Sequence, residues 1–262
     1  MNTLSLNIEK AGYLRSLLNS YNVSVKSLVL TGNLNGTDFM AIRKLKELTH
    51  LDISKCQLVG GGRICIIMNE KEKIKIQAKA NELSDYLLVR MKSNKEYEEV
   101  LFPEGIKRIG KNTLAGHHAL KSITIPDSVE EIDDSAFWCC SGLTHIEMGK
   151  NLKRIGKNAF GNLLHLTELE IPASVKDIDE FAFDGKYLKV IKVLNPFPPT
   201  LHFCRFEFLD PALLFEKKIK RKRHINISPL DCPNAKLIVP KGSLTRYKRA
   251  VGWKKFKEIV VE

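Results

Sequence analysis

Residues 100–122 read VLFPEGIKRIGKNTLAGHHALKS, residues 123–145 ITIPDSVEEIDDSAFWCCSGLTH, residues 146–168 IEMGKNLKRIGKNAFGNLLHLTE and residues 169–190 LEIPASVKDIDEFAFDGKYLKV, and a fifth copy starts with IKVLNP at Ile191. The starts at 100, 123, 146 and 169 set a period of 23 residues, shortened by one before 191. A repeat of this length marks a stacked architecture, because one unit cannot bury its apolar face alone and neighbours complete a common core. The expected fold is mostly β with short helical caps, a solenoid of 23-residue coils in a right-handed curved stack.

Each coil has two apolar strand signals. In Ile123-Thr124-Ile125 the alternation sends the isoleucines inward and Thr124 outward. A proline or glycine then ends the strand, at Pro103, Pro126, Gly149 and Pro172. The second signal is a pair spaced by three: Ile106 and Ile109, Val129 and Ile132, Leu152 and Ile155, Val175 and Ile178. Ala136-Phe137, Ala159-Phe160 and Ala182-Phe183 follow, with Thr113-Leu114 as the weaker member, and predict a spine of stacked rings.

Upstream, Leu48, Leu51, Ile53, Cys56 and Leu58 fit L-x-x-L-x-L-x-x-N/C-x-L, with Leu28, Leu30 and Asn33 one period earlier. Asn33 and Cys56 are expected at the turn that leaves each strand. Leu6, Ile8, Ala11, Leu14, Leu17 and Leu18 have a mostly helical spacing, which predicts a cap over the first coil. Between 59 and 99 the period fades: Gly60-Gly61-Gly62 reads as a turn, the run from Asn69 to Leu88 as too charged for much core, and Leu83 to Leu88 within it as one degenerate rung after a loop about three residues longer than the period.

Downstream, Pro196-Phe197-Pro198-Pro199 breaks the pattern and residues 200–230 fit no rung. Ala235 to Pro240 restores a strand, Ser243 is placed to cap a helix through Ala250, and Trp253, Phe256 and Ile259 supply an apolar closing surface. The chain thus divides into a helical cap (1–22), two leucine-rich rungs (23–58), an irregular segment with one degenerate rung (59–99), four to five repeats (100–193), an insertion with a basic run (194–230) and a strand-helix cap (231–262), all one continuous solenoid.

With these residues quoted, the chain resembles the BspA-type leucine-rich-repeat proteins. The resemblance rests on I-x-I-P-x-S-V-x-x-I-x-x-x-A-F at 123–137 and its close match at 169–183, on AGYLRSLL followed by LTGNLNGTDF and LTHLDIS, and on LIVPKGSLTRYKRAVGWKKFKEIV at the end. It implies a leucine-rich-repeat solenoid, surface display or secretion from a bacterium, and an adhesin-like role. The start MNTLSLNIEKAGYLRSLL lacks a basic stretch followed by an apolar core, so no secretory signal is read there and a cytoplasmic location stays open. No apolar run reaches the roughly 20 residues of a membrane-spanning helix.

The chemistry-bearing residues point away from catalysis. No nucleophile motif such as G-x-S-x-G occurs, and a solenoid offers a broad surface where an enzyme needs a pocket that excludes water. Catalytic residues and cofactors are therefore expected to be absent. His117-His118 and Cys139-Cys140 are the sharpest metal candidates, since His117 and Cys140 share a repeat position and would stack about 5 Å apart. Leu163 holds that position in the next coil, which makes it an apolar slot, and no metal is expected. Glu130, Glu131, Asp133 and Asp134 read as solvated turn residues, and the six cysteines are too irregularly spaced for a disulfide framework.

The residues left free point to binding. The outward column of the first strand reads Val29, Asp52, Leu101, Thr124, Glu147, Glu170 and Lys192, flanked by His50, Glu99, Ser122, His145 and Glu168. From it, His50, Asp52, Thr124, His145, Glu147, Glu168, Glu170 and Lys192 are the candidate face for a protein or glycan ligand of a monomeric interaction module. The formal charge of +12 is concentrated at the end, where residues 214–262 hold fourteen Lys and Arg against four Asp and Glu. Lys217, Lys218, Lys220, Arg221, Lys222 and Arg223 support the alternative of an intracellular scaffold or a nucleic-acid or polyanion binder. Nucleic acid ranks low as a partner, because no base-stacking aromatic interrupts that run.

Overall fold

A computed structural model describes residues 2–21, 24–67, 73–90, 96–183, 185–208, 223–227, 230, 232 and 234–262. The front part runs β1 (Thr3–Ile8), α1 (Leu14–Asn19), β2 (Ser27–Leu34), α2 (Gly36–Ile42), β3 (His50–Leu58), β4 (Arg63–Ile67) and β5 (Lys73–Gln77). Next come β6 (Glu82–Leu83), β7 (Glu99–Leu101), β8 (Arg108–Ile109), β9 (Ser122–Thr124), β10 (Glu131–Ile132), β11 (His145–Glu147) and β12 (Arg154–Ile155). The chain continues through β13 (Glu168–Ile171), β14 (Asp177–Ile178), β15 (Val190–Val193) and β16 (Thr200–Leu201). It ends with β17 (Cys204–Phe208), β18 (Arg223–Ile227), β19 (Lys236–Val239), α3 (Leu244–Arg249) and β20 (Glu258–Val261).

The coils stack so that their strands form two parallel walls. One wall is continuous, in the order β16-β14-β12-β10-β8-β6. The other comes in three parts: β1-β2-β3-β7, β9-β11 and β13-β15-β19-β20. The register carries the sequence period into space, with Ile146 opposite Ile123 and Ile155 opposite Ile132. The lost residue shortens one step, so that Leu169 faces Ile191. Between the walls lies one core, in which Ile132, Ile155, Ile178, Ile191 and Leu237 have no solvent exposure. Phe137, Phe160 and Phe183 form the expected spine, their rings 5.1 and 5.3 Å apart and parallel to within 1° and 6°. The turn before each ring is left-handed, at Ser135, Asn158 and Phe181, as is Asn112 before Leu114 in the coil ahead. Asparagine tolerates that conformation best among residues with a side chain.

Several expectations need correction. The N-terminus is not only a helical cap: residues 3–8 form β1, a further parallel rung on β2, and the helix is confined to α1. Leu4, Leu6 and Ile8 alternate as a strand requires, and that period prevails because β2 offers them a partner edge. Asn33 and Cys56 lie within strands and not at turns, and a register shift between Val29 and Thr31 sets Cys56 opposite Gly32 and Asn33 opposite Gln57. The segment after Gly62 forms an antiparallel hairpin, β4 with β5, in which Ile64 and Ile66 are buried and the lysines of KIKIQ alternate with isoleucines. The degenerate rung is β6, with Leu83 opposite Ile109 at a step of 26 residues.

At the other end, residues 200–201 do belong to a rung, since β16 extends the continuous wall. β17 and β18 then pair as an antiparallel hairpin. Ser243 stands at the start of α3, but its hydroxyl donates back to the Pro240 carbonyl at 2.6 Å and caps no helical N–H.

The carboxylates at 130–134 are not simply solvated. Residues on the continuous wall face one another with alternating sign, Glu82, Arg108, Glu131, Arg154 and Asp177 occupying one row. Arg108 reaches Glu82 at 3.3 Å, Asp85 at 2.8 Å and Asp133, while Arg154 binds Glu131 and Asp179. Lys107 and Lys153 flank Glu130, and Lys111 pairs with Asp134. A slip by one coil would set like charge against like, so this ladder favours the observed register as well as the stack.

Asp133 is nearly buried. Burial pushes its carboxyl upward, but the Asp134 backbone N–H and the Arg108 guanidinium outweigh that and hold it below the usual carboxylate range. Burial likewise pushes Arg108 down, and its hydrogen bonds to Asp133 and Asp85 reverse the shift. Arg108→Leu should therefore cost about 2–3 kcal/mol at pH 7, because it strands a desolvated carboxylate. The folded pKa of Asp133 lies below its unfolded value of about 3.9, so its contribution is present above that pH and is lost as the pH falls through the folded pKa. Urea titrations should show the gap between wild type and Arg108→Leu shrinking below about pH 4. An equal gap at pH 7 and pH 3 would remove Asp133 from the explanation.

Candidate functional site

The outward rows of the broken wall are fixed by strand alternation and register. Ser122 faces His145, Thr124 faces Glu147, Glu168 faces Val190 and Glu170 faces Lys192. β19 and β20 extend the same rows with Lys236, Ile238, Glu258 and Val260.

These rows do not form one uniform surface. β11 is hydrogen-bonded to β9 and β13 to β15, but among the described residues β11 and β13 make no ladder with each other. A cleft of about 410 Å³ opens there, with His145, Glu147, Lys150 and Glu170 at its rim and Met148 and Leu194 among its apolar lining. Gly149 follows β11 on coil three. A Cβ at that position would lie 2.2 Å from the Pro126 carbonyl oxygen, so glycine lets coil three close onto coil two. Like charges at successive coils, Glu147 before Glu170, oppose close pairing across the gap.

His145, Glu147 and Glu170 therefore meet at one cleft, with Glu168 in the row of His145 on the strand beyond. Glu147 accepts a hydrogen bond from the Thr124 hydroxyl at 3.2 Å. Lys192 is held between Glu170 at 3.3 Å and Glu262 at 2.8 Å, and the Glu262 and Glu170 contacts hold its ammonium pKa above the ordinary value. Lys150 is drawn aside by Asp127, at 3.2 Å. His50 and Asp52 do not join this group. They lie on β3, three coils before β11, or roughly 15 Å at ordinary strand spacing. Each has local partners: Thr49 contacts the His50 ring at 2.7 Å, and the Ser54 N–H and hydroxyl both donate to Asp52.

Met148, Lys150, Leu194 and Glu262 belong to the cleft or its flank and lie outside the sequence-predicted set. Glycine at 149, where coils one, two and four carry proline, is the sequence signal that marks the place.

Of the metal candidates, His117 and Cys140 lie in the core, whereas His118 is exposed and Cys139 half-buried. His117 is buried; its Nδ1 accepts from the Tyr97 N–H at 3.0 Å and its Nε2 lies 2.8 Å from the Leu88 carbonyl, so Nε2 carries the proton. Cys140 donates to the Leu114 carbonyl at 3.1 Å, and burial pushes its thiol up to about 12. His118 pairs with Ser141, and Cys139 accepts from the Asn162 amide. These contacts tie neighbouring coils together. Of the basic run, Lys217, Lys218, Lys220, Arg221 and Lys222 lie outside the described residues, and Arg223 opens β18.

Residues 90–197 match the family model of the BspA type leucine rich repeat region, in six copies. Among solved structures, the chain is similar to a leucine-rich repeat protein from Bacteroides ovatus ATCC 8483, with a TM-score of 0.48 and 16% identity over 91% of this chain and 49% of that one. The chain thus spans about half the length of that protein. Among curated proteins, none matches. No helix among the described residues is long and apolar enough to cross a membrane.

Proposed function

We propose that this chain, a BspA-type leucine-rich-repeat protein through residues 90–197, is a non-enzymatic interaction module that binds a partner protein along its broken wall. The observation that carries the reading is the cleft at the break, where an apolar lining meets the Glu147 carboxylate, which has no ion-pair partner among the described residues, in the middle of an outward-facing sheet. A protein ligand suits this face better than a glycan, because none of the outward residues on its strands is Phe, Tyr or Trp, the broad rings on which sugars stack. We place the protein at the cell surface, as an adhesin-like module, on the habit of the family.

Selection of a phage-displayed random peptide library on the wild-type protein tests the reading. Enriched peptides should bind the Glu147→Lys/Glu170→Lys variant at least tenfold more weakly, since charge reversal at a contact patch sets like charge against like. They should bind Lys176→Glu, altered on the continuous wall, as tightly as wild type. Equal binding to the charge-reversed protein, or no enrichment at all, would sink the placement.

A further inference from the structure

We infer that the cleft between β11 and β13 anchors one arginine side chain of the partner segment, an inference that rests on the sheet-face reading above. It lies at the break in the wall, and its volume of about 410 Å³ is in the lower part of the range for small-ligand sites. Two features of the lining suit a long basic side chain. Met148, Pro172 and Leu194 give an apolar surface for its methylene stem. Glu147 and Glu170 then stand on the two flanking strands, where a planar guanidinium presents donors to both carboxylates at once.

The charge around the cleft is unbalanced in the direction this requires. Lys150 donates to Asp127 through both its backbone N–H and its ammonium group. Lys192 is shared between Glu170 and Glu262. Asp127, Glu147, Glu170 and Glu262 therefore set four carboxylates against two ammonium groups, although the chain as a whole is strongly basic. Among the described residues, the Glu147 carboxylate has the Thr124 hydroxyl as its one hydrogen-bond donor. An incoming guanidinium supplies the missing cation without displacing an existing ion pair.

Met148 gives the test a reporter, because it lines the cleft and is one of five methionines in the chain. The full chain, labelled with ¹³C at the methionine methyl groups, is titrated with N-acetyl-arginine methylamide and separately with the uncharged citrulline analogue; Met148→Leu assigns the signal. Arginine should move the Met148 methyl saturably while citrulline leaves it in place. Glu147→Gln/Glu170→Gln should weaken the arginine effect roughly tenfold or more with the remaining spectrum unchanged. A Met148 signal that ignores arginine, or that responds equally to citrulline, overturns the inference. If the library peptides still lose binding to the charge-reversed variant in that case, the arginine anchor alone falls; if they do not, the sheet-face reading falls with it.

Discussion

Phe160→Ala is expected to destabilise the protein by about 4 kcal/mol, at the upper end of what a single core truncation costs. Phe160 has no solvent exposure, and its ring is stacked on Phe137 at 5.1 Å and on Phe183 at 5.3 Å. The backbone on either side is pinned, because the Phe137 N–H donates to Ala159 and the Phe160 N–H to Ala182. The coils are thus held apart at ladder spacing and cannot collapse into the space the ring leaves. Because a solenoid is stabilised by contacts between successive coils, one truncation weakens two interfaces at once, between coils two and three and between coils three and four. Unfolding should then lose its all-or-none character. The two tryptophans report on opposite sides of the lesion, Trp138 in coil two and Trp253 at the C-terminal end. In urea their transitions should coincide in wild type and separate in the variant, with Trp138→Phe, a change at an exposed side chain, isolating the Trp253 signal. A loss below 1 kcal/mol with coincident transitions would show that the stack relaxes around the cavity.

The spine was legible in the sequence because one ring recurs at a fixed offset, and so were the outward rows, since alternation of period two combined with a period of 23 leaves little freedom in which residues share a face. The charge ladder is equally regular, with KRIGKN facing EEIDDS and then KRIGKN again. The ladder does not show between chain neighbours, because in a solenoid the neighbour that matters is one coil away. The hairpin at 63–77 shows the limit of composition as a guide, because KIKIQ is highly charged and still forms a strand whose isoleucines pack, half-buried, against the core. The cleft was the least legible feature. It lies where β11 and β13 make no ladder among the described residues, a local backbone feature that the period of 23 does not encode.

Trp253→Ala should cost a similar amount, about 4 kcal/mol, and show it in a different way. Trp253 is fully buried at the end of the stack, edge-on to Tyr247 at 5.4 Å and roughly parallel to Phe256 at 6.1 Å. Its indole N–H donates to the Pro199 carbonyl at 2.8 Å, and the Tyr247 hydroxyl donates to the Asn195 carbonyl at 2.7 Å. These two bonds fasten α3 and the turn after it to the proline-rich stretch that ends the repeats. A terminal unit contacts a neighbour on one side only, so its loss unzips the stack from that end. Hydrogen exchange should therefore lose protection in β16, β19 and β20 while β9 to β12 keep theirs. Trp253→Phe, which retains most of the packing and drops the indole bond, should cost only about 1–2 kcal/mol. Uniform loss of protection along the chain would mean that the cap and the repeats unfold as one. The cap also reaches the cleft, because β20 leads to Glu262, whose carboxylate shares Lys192 with Glu170. Freeing that end removes one of the two carboxylates that restrain Lys192 and leaves the ammonium group to neutralise Glu170 alone. An uncapped protein with intact coils should accordingly bind arginine more weakly, which ties the stability of the C-terminal end to the charge of the site.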